Sequence, residues 1–181
     1  CAEFIITPAM ALAIPSARNS AYSALRRLWK REYQILIIVI ISSMKSIKQA
    51  KNLAGKRVLA RVDFNVRVNK NGEVDKNEAF KIEAVLPTIK FLLEKKAKII
   101  LMSHLGLPKG KIVPELKLDA ATDHLSKLLK KLVKKTSEVV GAAVEKEVAK
   151  LKDGEILVLE NTRFNKGEEG NDKKFTKDLA K

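Results

Sequence analysis

The 181-residue chain is 46% apolar and only 5% aromatic, which allows one aliphatic core and favours a single domain. Its one cysteine, Cys1, excludes an intramolecular disulfide framework and any Cys-x-x-Cys metal site, and two scattered histidines, His104 and His124, give no zinc-site spacing. The net charge of +15 divides into +3 over residues 1–44 (five basic, two acidic) and +12 over the remainder; it is mostly dispersed lysine without interleaved aromatics, which argues against nucleic-acid binding. Lysines such as Lys130, Lys131, Lys134, Lys135, Lys173 and Lys174 read as solvated helix faces, with general attraction for small anions as a by-product.

Residues 1–44 do not read as part of the domain. They contain Met10 and Met44, an Arg/Ser stretch over 16–31, and a seven-residue apolar run over 35–41, far below the roughly 20 residues that span a bilayer. A transit or signal peptide is one reading. The expectation adopted is that Met44 is the natural start, that residues 1–44 are a leader outside the fold arising from read-through translation or an artefact, and that the domain is 45–181.

From Lys45 the pattern becomes regular. Gly55-Lys56 is a turn signal, and Val58, Leu59, Ala60 and Val62 make a buried strand over 57–62. Arg61, Asp63 and Asn65 then recur at intervals of two, so an extended chain projects them from one side and Val62, Phe64 and Val66 from the other. Two readings stand: a ligand site, or Arg61 and Asp63 pairing with each other at a sheet edge. Asn69-Lys70-Asn71-Gly72 is a turn, and Lys81 opens a helix in which Ile82, Val85, Leu86, Ile89, Leu92 and Leu93 recur at helical spacing, with Pro87 in or near its first turn.

A second buried strand, 98–102, runs into the loop Ser103-His104-Leu105-Gly106-Leu107-Pro108-Lys109-Gly110. The spacing predicts a second helix over 118–133, a weak third strand over 137–140 and a third helix over 142–151. A strand over 155–159 follows, then Glu160-Asn161-Thr162-Arg163-Phe164, and a last helix capped by Asn171 or Asp172. Continuous apolar strands alternating with helices call for a parallel sheet covered on both faces, joined by right-handed crossovers. Ligands of such sheets bind beyond the carboxyl ends of the strands, where Arg61/Asp63/Asn65, the His104 loop and Arg163 all fall. Arg61 and Arg163 suit a phosphate or carboxylate through paired N–H donors, and Lys81 would add charge at a helix start. Asp63 and Asn65 suit a ligand hydroxyl or a neighbouring arginine. His104 either joins that site or orders its own loop.

Arg61-Val62-Asp63-Phe64-Asn65-Val66, Leu86-Pro87-Thr88-Ile89, Ser103-His104-Leu105-Gly106, Val113-Pro114-Glu115-Leu116 and Leu159-Glu160-Asn161-Thr162-Arg163-Phe164 closely resemble, in order and spacing, the amino-terminal half of phosphoglycerate kinase. The resemblance covers residues 45–181. It implies an α/β fold, a Rossmann-like three-layer α/β/α domain with a parallel sheet, here truncated. It further implies that Arg61, Asp63, Asn65, Lys81, His104 and Arg163 bind 3-phosphoglycerate or 1,3-bisphosphoglycerate, Lys81 standing at the family's catalytic arginine. Mg-ATP or Mg-ADP would be held by a carboxy-terminal domain absent from this sequence, with hinge closure for phosphoryl transfer. The complete enzyme would be a monomeric, cytoplasmic glycolytic kinase, and the chain as given is expected to be inactive alone, with part of its apolar surface exposed. Organellar targeting by residues 1–44 is the alternative location.

Three departures bear on function. Lys81 keeps a positive charge but loses the planar fork, and Leu107 stands where the family has a phosphate-binding arginine; Arg67 replaces a usual proline. These suggest a second reading, a degenerate non-catalytic paralogue that binds an anionic metabolite or a protein partner.

Overall fold

The computed structural model describes residues 46–181; the leader expected over 1–44 lies outside them. Ser46 caps a short 3₁₀ turn, Ile47–Gln49, through a capping box with Gln49. The unit that follows begins at Asn52.

Four strands form one parallel sheet in the order β1-β2-β4-β3: β1 Arg57–Arg61, β2 Lys98–Met102, β3 Lys134–Lys135 and β4 Ile156–Val158. Register aligns the carboxyl ends, with Arg61 beside Met102 and Leu101 beside Val158. The long strands form where continuous apolar runs let both sheet faces be buried. On one face Leu59, Ile100, Met102, Leu157 and Leu159 pack with Val144, Val148, Leu151 and Leu179. Strand alternation sends Val58, Ile99, Leu101, Ile156 and Val158 to the other face.

The helices are α1 Phe80–Glu83, α2 Leu86–Glu94, α3 Asp119–Leu129, α4 Ala142–Ala149, α5 Lys166–Glu169 and α6 Lys173–Leu179. The first expected helix is split in two, with Pro87 in the opening turn of α2, where its missing N–H leaves no bond unmade. Helix α2 packs on β2 and buries Ile89 and Leu92 completely. Asp172 caps α6, its Oδ1 accepting the Phe175 N–H at 2.7 Å. None of the described helices is long and apolar enough to cross a membrane.

Two expectations need correction. Helix α3 ends at Leu129, because Lys130 turns left-handed (φ 49°) and carries the chain out; Leu132 is therefore exposed. The third strand is not 137–140 but Lys134–Lys135, three residues earlier. Lys135 is thus no solvated helix residue. Its Nζ lies 2.6 Å from Glu160 Oε2 and 3.3 Å from Asp119 Oδ1, so a buried carboxylate, rather than apolar content, holds this edge strand in place.

Candidate functional site: the carboxyl edge of the sheet

Three loops leave the carboxyl edge and are tied together by their own polar groups. Beyond β1 the chain stays extended, and Val62, Phe64 and Val66 are buried while Arg61, Asp63 and Arg67 face solvent. The Phe64 N–H donates to Ser103 Oγ at 2.9 Å, locking this segment to the loop after β2. The Asp63 carboxylate accepts the Asn65 N–H, and Asn65 Oδ1 accepts the Gly106 N–H at 2.9 Å. Arg61 and Asp63 do not pair with each other; Arg61 reaches Glu168 instead.

Asn161 is the knot of the edge. It is wholly buried and caps a 3₁₀ turn, Thr162–Phe164. Its Oδ1 accepts the N–H groups of Leu105 and Arg163, both at 3.1 Å, and its Nδ2 donates to the carbonyls of Leu105 at 2.7 Å and Leu116 at 2.8 Å. Behind it, Glu160 Oε1 accepts the N–H groups of Leu118 and Asn161. Gly106 sits at φ +64°, and a Cβ there would come within 2.8 Å of Leu116. The Leu116 methyl groups could shift, but the positive φ strains any other residue there and favours glycine.

The sequence-derived residues fall into two neighbouring groups joined by Gly106, which receives Asn65 on its N–H and Arg163 Nη1 on its carbonyl at 2.8 Å. In the first group, Arg61 and Arg163 flank Glu168, and their charges act on His104 together with those of Asp63 and Glu168. Burial first, then Arg163 and Arg61, hold the His104 imidazole below its usual range, so it is neutral at pH 7. The second group lines a cleft of about 450 Å³ that includes Asn65, Arg67, Glu78, Lys81, Gly106 and Glu115. Lys81 Nζ lies 2.7 Å from the Asn65 carbonyl and 2.9 Å from Glu78 Oε2. Lys81 is not a free charge at a helix end, since α1 is only one turn long and the ammonium is held by Glu78. Arg67 Nε takes the other Glu78 oxygen at 2.6 Å, and this double pairing pulls the Glu78 carboxyl down to about 2. Leu107 projects into solvent.

Sequence reasoning missed Glu78, Glu160, Asn161 and Glu168. Glu168 lies in the one-turn helix α5, which carried no signal in the sequence.

The fold and its edge define a class: a parallel α/β domain with anion-suited side chains grouped beyond its strand ends. Comparison with known proteins carries this further. The phosphoglycerate kinase family model matches residues 47–181, and the chain belongs to that family. It is 50% identical over 130 residues to the phosphoglycerate kinase of Dictyoglomus turgidum, covering 72% of this chain and 32% of that protein. The Picosynechococcus phosphoglycerate kinase is 49% identical over 129 residues, covering 71% and 32%. Among solved structures, phosphoglycerate kinase from Coxiella burnetii matches with a TM-score of 0.61 at 36% identity, covering 75% of this chain and 32% of that one. The enzyme from Pyrococcus horikoshii OT3 matches with a TM-score of 0.65 at 30% identity, covering 76% and 34%. The chain therefore spans about a third of the length of the relatives it matches.

Proposed function

We propose that this chain is the substrate-binding portion of a phosphoglycerate kinase, with 3-phosphoglycerate or 1,3-bisphosphoglycerate bound at the carboxyl edge. The observation that carries the reading is the joining of three loops at Gly106, which sets Asn65 and Arg163 on opposite sides of one residue. Arg61, His104 and Arg163 would take the phosphate and carboxylate, Asp63 and Asn65 the hydroxyl, and Lys81 would supply the charge nearest the transferred group. Phosphoryl transfer needs positioned charge more than covalent chemistry, which suits such a set. Among the described residues no cluster of three or more His, Cys, Asp or Glu side chains could hold a metal ion. Because the chain spans about a third of its relatives' length, the Mg-nucleotide is assigned to the part it does not span, and the phosphate exchange with ADP in glycolysis to the complete, monomeric, cytoplasmic enzyme. The 1–44 segment is taken as a leader outside this function.

The test is calorimetric titration of the 181-residue chain with 3-phosphoglycerate and with inorganic phosphate. We expect 3-phosphoglycerate to bind more tightly, and Arg163→Ala to weaken it at least about thirtyfold, about 2 kcal/mol or more for a lost charged contact. Equal binding of the two ligands would sink the reading. The second reading, a non-catalytic paralogue, is favoured by exposed Leu107 and by Lys81 being held by Glu78. Restoring arginine at both positions in a chain joined to a nucleotide-binding half separates them: a large gain in turnover supports an enzyme, and none supports the paralogue.

A further inference from the structure

We propose that Glu168 is an internal counter-anion that sets the charge selectivity of this edge: it occupies Arg61 and Arg163 in the unliganded chain, and only a multiply charged anion displaces it. The inference rests on the reading above in that it concerns the same edge. Each oxygen of the Glu168 carboxylate faces one arginine, Oε1 at 3.2 Å from Arg61 Nη2 and Oε2 at 3.5 Å from Arg163 Nε. The side chain of Glu168 is only 12% exposed, against 55% for Arg61 and 23% for Arg163, so it lies between the two cations. The bridge is unequal. Its Arg61 side is a hydrogen bond, whereas Arg163 Nε is buried and makes no hydrogen bond among the described residues.

Arg163 therefore has one guanidinium nitrogen committed to the Gly106 carbonyl and another facing the carboxylate of Glu168 at 3.5 Å, and that of the more exposed Glu169 at 3.8 Å, without a formed hydrogen bond. An external oxyanion can improve on that contact. To do so it must replace a carboxylate that is already tethered and has no translational freedom to lose. A monoanion offers no more charge than Glu168 and pays the cost of association as well; a phosphate dianion offers twice the charge. Glu168 thus acts as a threshold that excludes chloride and simple carboxylates and admits phosphoryl ligands. The carboxylate also keeps two guanidinium groups together that would repel each other when empty.

The test compares Glu168→Gln with the unsubstituted chain, titrating inorganic phosphate, acetate and 3-phosphoglycerate at low ionic strength. Glutamine keeps the shape and an acceptor oxygen but removes the charge. Phosphate should bind about five- to tenfold more tightly, the worth of one partly exposed charge pair, and acetate should gain by more, so that the phosphate-to-acetate ratio narrows; an unchanged or wider ratio overturns the selectivity. Glu155→Gln, which removes an equal charge just before β4 at the opposite edge, should change neither by more than about twofold. Unchanged or weaker phosphate binding by Glu168→Gln, or no binding by either chain, overturns the proposal. If Glu168→Gln does not fold, the unsubstituted chain decides by NMR: saturating phosphate should shift the Glu168 carboxyl carbon and Arg163 Nε together, and stationary signals refute the displacement. Failure of the functional reading looks different, since 3-phosphoglycerate would then bind no better than phosphate while the Glu168→Gln gain persists.

Discussion

Asn161→Ala should unfasten the whole carboxyl edge, although Asn161 carries no charge and touches no solvent. Alanine removes four hydrogen bonds and strands the N–H and carbonyl of Leu105, a residue 3% exposed, along with the part-buried carbonyl of Leu116 and N–H of Arg163. Two stranded buried groups at about 1–3 kcal/mol each, plus smaller amounts for Leu116 and Arg163, put the loss at about 4 kcal/mol or more. That is a large share of the roughly 5–15 kcal/mol that holds a domain folded. Asn161→Asp is the sharper variant. It keeps Oδ1 but turns a second oxygen toward two carbonyls, so at pH 7 it should lose as much as alanine. Its carboxyl pKa in the folded state would then lie above the unfolded value, so acidification should restore stability as a protonated O–H replaces the lost donor. Urea unfolding of the 181-residue chain, followed by circular dichroism at pH 7 and pH 5, measures both. An Asn161→Asp midpoint equal to that of the unsubstituted chain at pH 7 would refute the reasoning.

Two further outcomes are expected. Lys135→Met leaves Glu160, 2% exposed, with its two N–H donors but no cation, at a cost of about 3 kcal/mol; the double change with Glu160→Gln should recover at least half in thermal or urea unfolding, and an unchanged single-variant midpoint contradicts it. His104, held below its ordinary value of 6.5, adds stability that is complete above that pH and is lost as pH falls toward its lower folded value. A sulfate seated by Arg61 and Arg163 raises that pKa. Sulfate binding should therefore take up a proton and strengthen as pH falls below 6.5 in calorimetry, and His104→Gln should bind sulfate with no such dependence.

The strands over 57–61, 98–102 and 156–158 were legible because a sheet covered on both faces leaves an unbroken apolar run. The alternation from Arg61 to Asn65 was legible for the same reason in reverse, since one side of an extended segment must find the core. The edge strand Lys134–Lys135 was not legible. Two lysines at a sheet edge have no apolar signature, and what holds Lys135 is a carboxylate 25 residues further on, at Glu160. Asn161 was hidden because a buried amide and a solvated turn amide are the same letter. Only the tertiary placement of Leu105 and Leu116 tells them apart.

Charge was the least legible property. A net +15 suggests an open electropositive surface, yet at this edge cations are matched with carboxylates from other segments of the chain. Glu168 stands between Arg61 and Arg163, Glu78 between Arg67 and Lys81, and Glu160 beside Lys135. Such pairing costs the side chains their freedom before any ligand arrives, so less ordering remains to be done on binding. It also means that removing a carboxylate and removing an arginine should act in opposite directions on anion affinity while both reduce stability. Affinity that rises as stability falls is therefore the expected signature of Glu168→Gln, and a site built on general positive charge would produce no such divergence.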